Sequence, residues 1–302
     1  VADPAASLAQ RVAQHRADLH ARYPVVIDDS EWGCDDAGVS VRGSVLVSSQ
    51  ALAYQKLIGD LLGVALAEVP RPTVLSDLAT DYRAVQWGSV GGEGALDLHS
   101  GPDDDDLQTQ WIPPCAVRVF LNEPARSRAL AQLPDGTVGW VDRRRLAPLS
   151  PETDPWGELR RASVDGVSET DGTLDDAARR ARARLGRPYR WGGNTEQSAD
   201  CSGFVQSVVH QAAGVLLPKN TRDQMKRGVR VGKAAIEPGD LLFVRGRTKN
   251  LMHVGLVLRA EDAVTVVHSC LSRERVLEES LEEFLERYRF TAARRVLRWR
   301  TP

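Results

Sequence analysis

The stretch at 187–214, "RPYRWGGNTEQSADCSGFVQSVVHQAAG", constrains the chain most. From Cys201 onward, Phe204, Val205, Val208, Val209 and Ala212 recur at three- and four-residue spacing. That spacing predicts a helix with one apolar face, so a buried helix whose first residue is a cysteine. A helix start leaves backbone N–H groups unpaired and lies at the positive end of the helix dipole, and both favour thiolate over thiol. Cys201 is therefore either a small hydrophobe packed at a helix start or a nucleophile made reactive by its place. A neighbouring base decides between them.

Three histidines lie in this part of the chain. His210 sits nine residues along the same helix, about half a turn round at roughly 3.6 residues per turn, and is expected to face solvent. His253 lies in the apolar, strand-like "LMHVGLVL" and His268 in the next such run, "VTVVHSC". On neighbouring strands facing the helix start, they would complete a thiol centre. Cys201 attacks a carbonyl, His253 takes and returns the proton, and His268 fixes the tautomer and orientation of the first imidazole. Cys270, two residues past His268, shares its face in a regular strand and is expected in the core. Upstream, "TLDDAARRARARLG" reads as a helix with Thr173 as N-cap, acids first, arginines late and Gly186 at its end.

A chain of 302 residues exceeds what one core usually serves. Residues 1–75 read as a small α/β unit of unknown role: helices over 5–22 and 49–63, the second capped by Ser49 and stopped by Gly63, with strands at "VVIDD" and "VSVRGSVLV". After "VPRPT", residues 76–149 alternate short apolar runs with Gly, Pro and Asp turns, which favours a small barrel. The "DGTVGWV" segment is hairpin-like, and with "LHSGP" it resembles a bacterial SH3-like domain. Residues 150–172, rich in breakers and charge, read as a linker to a last domain at 173–302. Asp103–Asp106 reads as a solvated turn and Arg143–Arg145 as an exposed strand edge. Cys34 and Cys115 read as structural.

Composition narrows the partners. With 39 basic and 41 acidic residues well mixed and a net charge of −2, nothing calls for nucleic acid or an anionic membrane. No run reaches the roughly 18 apolar residues of a membrane span. The four cysteines show no metal-type pairing, so no metal and no cofactor is expected. The chain starts at Val rather than Met, which leaves room for a removed signal segment and keeps the compartment open between cytoplasm and extracytoplasmic space. Oligomeric state is not legible.

Together, "PYRWGGNTEQSADCSGFVQSV", "GVLLPKNTRDQM", "EPGDLLFV", "HVGLVL" and "VVHS" resemble the NlpC/P60 cysteine peptidases over about residues 174–302. The resemblance implies an α+β, papain-like domain with a cysteine-bearing helix packed on an antiparallel sheet. It implies Cys201 as nucleophile, His253 as base and His268 as third member. Tyr189 would lie near the oxyanion site, and Asp200 and Ser202 would line the substrate subsite. Asn220, Thr221 and Trp191 are further substrate-binding candidates, with core packing the readier reading of Trp191. The implied activity is hydrolysis of bacterial stem peptides, with members carrying SH3-like domains resembling γ-D-glutamyl-L-diamino acid endopeptidases that act on short muropeptides. Where such members demand a free N-terminal L-Ala they commonly read Arg-Asp-Ser after "LP". Here the residues are Lys219, Asn220 and Thr221, which puts that specificity in doubt. A thiol-dependent acyltransferase of the same fold and a non-catalytic wall-peptide binder are the alternatives.

Overall fold

The computed structural model describes residues 4–22, 28, 30–35, 38–74, 83, 85–122, 124–247, 250–261 and 263–300. Helix α1 (Pro4–Arg22) and helix α2 (Ser48–Leu62) bury Leu8, Val12, Ala51, Tyr54 and Ile58 against Val45, Val69 and Val74. Ser49 is not the cap of α2. Val47 holds that position, and its N–H donates to Gln50 Oε1 at 3.0 Å; the helix stops at Gly63, whose φ of 69° suits glycine. Glu31–Asp35 and Gly38–Arg42 pair as a hairpin. Of the expected strand over 25–29, all but Asp28 lies outside the described residues; Asp28 bridges Val45.

The middle region forms a seven-stranded antiparallel sheet: β1 (Gln86–Val90), β2 (Leu96–His99), β3 (Leu107–Trp111), β4 (Cys115–Leu121), β5 (Arg128–Gln132), β6 (Val138–Asp142) and β7 (Leu146–Leu149). Its order is β7-β1-β4-β5-β6-β2-β3, with Leu98, Val117, Ala129, Ala131 and Val141 in its core. The expected SH3-like barrel is found only as this sheet. Its terminal strands do not pair, and no closed barrel forms among the described residues. Strands β6 and β2 share a single registered pair, Trp140 with His99.

Of two smaller expectations, the Arg143–Arg145 strand edge changes with tertiary context and the Asp103–Asp106 solvated turn holds. Arg143–Arg145 is a 3-10 turn rather than a strand edge, because Arg145 donates to the carbonyls of Gly91, Gly94 and Ala95 in a glycine-rich turn that leaves them open. Asp103–Asp106 closes the β2–β3 turn, with Asp105 accepting from Arg128 at 3.1 Å. Within 150–172, Trp156 is buried beneath Arg118, whose guanidinium lies 4.2 Å from the ring centroid. Further on, Arg160–Arg161 pairs with Val215–Leu216, and Ser168–Thr173 pairs with Leu297–Arg300.

The C-terminal region opens with helix α3 (Leu174–Arg182), where Thr173 Oγ1 accepts from the Asp176 N–H at 3.2 Å. The helix ends four residues short of Gly186. Helix α4 (Cys201–Ala213) then lies on a six-stranded antiparallel sheet: β8 (Val229–Val231), β9 (Leu241–Gly246), β10 (Met252–Ala260), β11 (Ala263–Cys270), β12 (Arg275–Ser280) and β13 (Tyr288–Arg295), in the order β8-β13-β9-β10-β11-β12. One sheet face, with Phe243, Val254, Leu256 and Val267, packs on Phe204, Val205 and Val208 of α4. The other, with Leu242, Val244, Val257 and Val266, packs on Phe284 of helix α6 (Leu281–Arg287). Each such side chain contributes on the order of 1.5–3 kcal/mol by burial. A short helix α5 (Thr221–Gln224) lies between α4 and the sheet in sequence.

The middle sheet docks behind α4. Gly192 approaches β3 so closely that a Cβ there would lie 2.3 Å from the Leu107 carbonyl oxygen. Gln206 Nε2 donates to Asp135 Oδ2 at 2.8 Å, and Asn194 Nδ2 donates to the Gln110 carbonyl at 3.3 Å. No helix among the described residues is long and apolar enough to cross a membrane.

Candidate active site

Asp200 makes the start of α4. Its Oδ1 accepts from the Gly203 N–H at 2.7 Å and from Ser202 Oγ at 3.1 Å, and its Oδ2 accepts from the Gly192 N–H at 3.0 Å. The carboxylate thus caps the helix and ties the "YRWGG" loop to it. Lys219 Nζ stands 3.6 Å from Oδ2. Gly203 fits against the same loop, for a Cβ there would lie 2.2 Å from the Gly193 carbonyl oxygen. Gln224 braces the first turn from the other side, its Nε2 donating to the carbonyls of Ser202 at 3.0 Å and Pro218 at 2.9 Å.

The Cys201 thiol emerges from this frame at the wall of a cleft, 3.7 Å from Thr221 Oγ1. Burial pushes the thiol up to about 12 and the Asp200 carboxylate adds to that, while Thr221 and the backbone N–H groups of Val254 and Ser202 pull it back. The helix-start effect expected from the sequence is present, but burial outweighs it. Cys201 rests as a thiol.

His253 and His268 lie on the adjacent strands β10 and β11. His253 Nε2 is 2.8 Å from His268 Nδ1, so the one ring nitrogen of His253 left without a hydrogen-bond partner is Nδ1. Gly255 permits the arrangement, since a Cβ there would lie 2.5 Å from Val266 Cγ1 and 3.2 Å from His268 Cβ. Burial, followed by the His268 ring, holds His253 well below its ordinary pKa, and burial lowers His268 against the opposing pull of Glu279. Tyr288 stacks on His253 with ring centroids 5.1 Å apart.

The cleft has a volume of about 690 Å³, and its walls include Cys201, His253, Tyr189, Asp200, Ser202, Asn220 and Thr221. His268 stands behind His253, fully buried. Trp191 is not core: it is 60% exposed on the cleft rim, because Gly192 and Gly193 turn the loop outward around the buried cap. His210 is not solvent-facing either. It is half-buried against Trp111, ring centroids 5.9 Å apart, because the docked middle sheet covers that side of α4. Cys270 is buried, its Sγ 3.4 Å from Tyr288 Oη. Sequence reasoning missed Tyr288, Glu279 and Arg287. Glu279 lies among several acids in "RVLEESLEEF", and nothing in that run singles it out.

A thiol at a capped helix start and a strand-borne imidazole line one cleft, an arrangement able to support thiol–imidazole hydrolysis. Residues 186–295 match the NlpC/P60 family. A probable endopeptidase, NlpC, of Escherichia coli K12 is 34% identical over 112 residues, 37% of this chain and 70% of that protein. Murein DD-endopeptidase MepS/murein LD-carboxypeptidase of the same strain is 35% identical over 36% of this chain and 55% of its own length. The γ-D-glutamyl-L-lysine dipeptidyl-peptidase of Bacillus subtilis 168 is 36% identical over 32% of this chain and 33% of its own. The matched segments therefore span less than two thirds of the latter two relatives. The chain belongs to the NlpC/P60 family.

Proposed function

We propose that this protein is a cysteine endopeptidase acting on bacterial cell-wall stem peptides, cutting the bond between γ-D-Glu and the diamino acid of a muropeptide. The observation that carries this reading is Cys201 at the capped start of α4, in one cleft with His253, whose Nε2 is held by His268 at 2.8 Å. His253 accepts the thiol proton as Sγ attacks the γ-carbonyl carbon. The tetrahedral oxyanion takes donors from the helix-start N–H groups and from Tyr189. Collapse breaks the C–N bond, the imidazolium protonates the departing amine, and a thioester remains. Water, deprotonated by His253, attacks it to release the γ-carboxylate and restore the thiol.

Asp200, Ser202, Asn220, Thr221 and Trp191 form the substrate surround in this reading. Asp200 and Ser202 are bound to one another and shape the wall, whereas Asn220 and Trp191 are exposed and free to meet substrate. The residues lining the cleft fall between 189 and 288, so the first two regions supply none of its walls, which favours acceptance of stem peptides still carrying sugar as well as released ones. The divisions near 76, 150 and 173 are proposed as domain boundaries on the same footing.

The test is incubation of the wild type and Cys201→Ala with L-Ala-γ-D-Glu-diamino acid peptide, free or N-muramoylated, followed by mass spectrometry. Cleavage of both peptides by the wild type alone is expected. Equal cleavage by the alanine variant refutes the nucleophile, and cleavage of neither peptide by the wild type refutes the substrate.

A further inference from the structure

We infer that Glu279, held by Arg287, is a positioning residue that sets the tautomers of both histidines and so decides which nitrogen of His253 is basic. The inference rests on the reading of Cys201 and His253 as the reacting pair. Glu279 lies on the edge strand β12, opposite Val266 in the β11–β12 register. Its Oε1 is 3.0 Å from His268 Nε2, and its Oε2 accepts from Arg287 Nη2 at 2.8 Å. The carboxylate is 7% exposed and the His268 side chain 0%, so water does not compete for these bonds.

The tautomers follow by elimination. A carboxylate can only accept, so His268 Nε2 must carry a proton. A neutral His268 then has an unprotonated Nδ1, which accepts from His253 Nε2–H across 2.8 Å. With its proton on Nε2, His253 keeps its lone pair on Nδ1, the nitrogen with no partner. The proton of Cys201 is thus given a place to go by a carboxylate two rings away. Without Glu279, His268 can take the other tautomer and donate from Nδ1, which places the His253 proton on Nδ1 and removes the base. Burial raises the Glu279 carboxyl, but His268 first and Arg287 second hold it below its ordinary value.

The titratable neighbours define what a pH profile reports. His253 is faced by His268 and Tyr288, with Cys201 across the cleft; His268 is faced by Glu279 and Tyr288. Glu279 is faced by His268 and Arg287, with Tyr288 and Glu283 nearby.

Two measurements test this. The first is the pH dependence of iodoacetamide alkylation at Cys201, read peptide by peptide because Cys34, Cys115 and Cys270 are also free thiols. It needs no peptide substrate, so an error in the stem-peptide reading leaves it intact. Glu279→Leu, which removes the acceptor, is expected to slow alkylation near neutral pH at least about 10-fold and to displace the profile, while Glu279→Gln, whose amide oxygen can still accept from His268 Nε2–H, restores part of the rate. A folded Glu279→Leu protein with the wild-type rate and profile overturns the inference. The second uses wild type alone, in case the variant does not fold: nitrogen-15 NMR of the histidine rings, expected to show Nε2–H on both His253 and His268. Nδ1–H on either ring overturns it.

Discussion

Cys201 and His253 rest as a neutral thiol and a neutral imidazole because both are buried, and each protonation state has a measurable consequence. His253 is held well below the ordinary imidazole value of about 6.5, so its ring stays unprotonated as pH falls through neutrality. The acid limb of kcat/KM is accordingly expected below about 6.5, measured from the pH–rate profile of stem-peptide cleavage. A limb at or above that value contradicts the neutral-pair assignment. Specificity is also a residue-scale matter. Asn220 lines the cleft without a charge, and Asn220→Asp introduces a carboxylate able to meet an ammonium group. A charge-assisted hydrogen bond of about 1.5–3 kcal/mol corresponds to a gain of about 10- to 100-fold in kcat/KM for free-amine over N-muramoyl peptide. Competition between the two peptides measures it.

At the scale of elements, the start of α4 is clamped by backbone contacts that leave no room for growth. Gly203→Ala places a methyl group 2.2 Å from the Gly193 carbonyl, so the helix start must shift from the loop. A fall in kcat of at least about 10-fold is expected from a displacement of this kind, with circular dichroism still reporting a folded chain. Asp200→Ala removes the acceptor for Gly203 and Gly192 and strands the Lys219 ammonium. Loss of the cap alone costs about 0.5–2 kcal/mol, and a loss of unfolding free energy beyond that range, measured by denaturant titration, reports the stranded cation. The elements themselves were largely legible. The α4 face and its first residue followed from apolar spacing, and the Thr173 cap from its side-chain type. Ser49 is not the cap because the helix begins after Val47, two residues earlier, whose N–H donates to Gln50 Oε1, a choice that propensity does not resolve.

Across the whole molecule, proton linkage and docking are the testable properties. His253 and His268 are both held neutral in the folded state, while in the unfolded chain they take up protons near about 6.5. The unfolded state therefore binds more protons as pH falls through that value, and stability declines. Tm is expected to fall between about pH 7.5 and 5.5, and a flat profile there counts against buried neutral histidines. Docking of the middle sheet depends on Gly192, where any side chain meets the β3 backbone. Gly192→Val is expected to open this contact and make the segment around residues 186–200 more susceptible to limited proteolysis.

The sequence by itself determined the buried helix begun by Cys201, the strand character around His253 and His268, and the family. Periodicity and short-range capping are local properties carried by neighbouring residues. Only the tertiary structure decided that burial outweighs the helix-start effect at the thiol, that Trp191 faces the cleft, and that His210 lies against Trp111. It alone brought Glu279 and Arg287 behind His268. Those outcomes depend on which strands lie side by side and on what a fold excludes from water, and neither is written in the spacing of one segment.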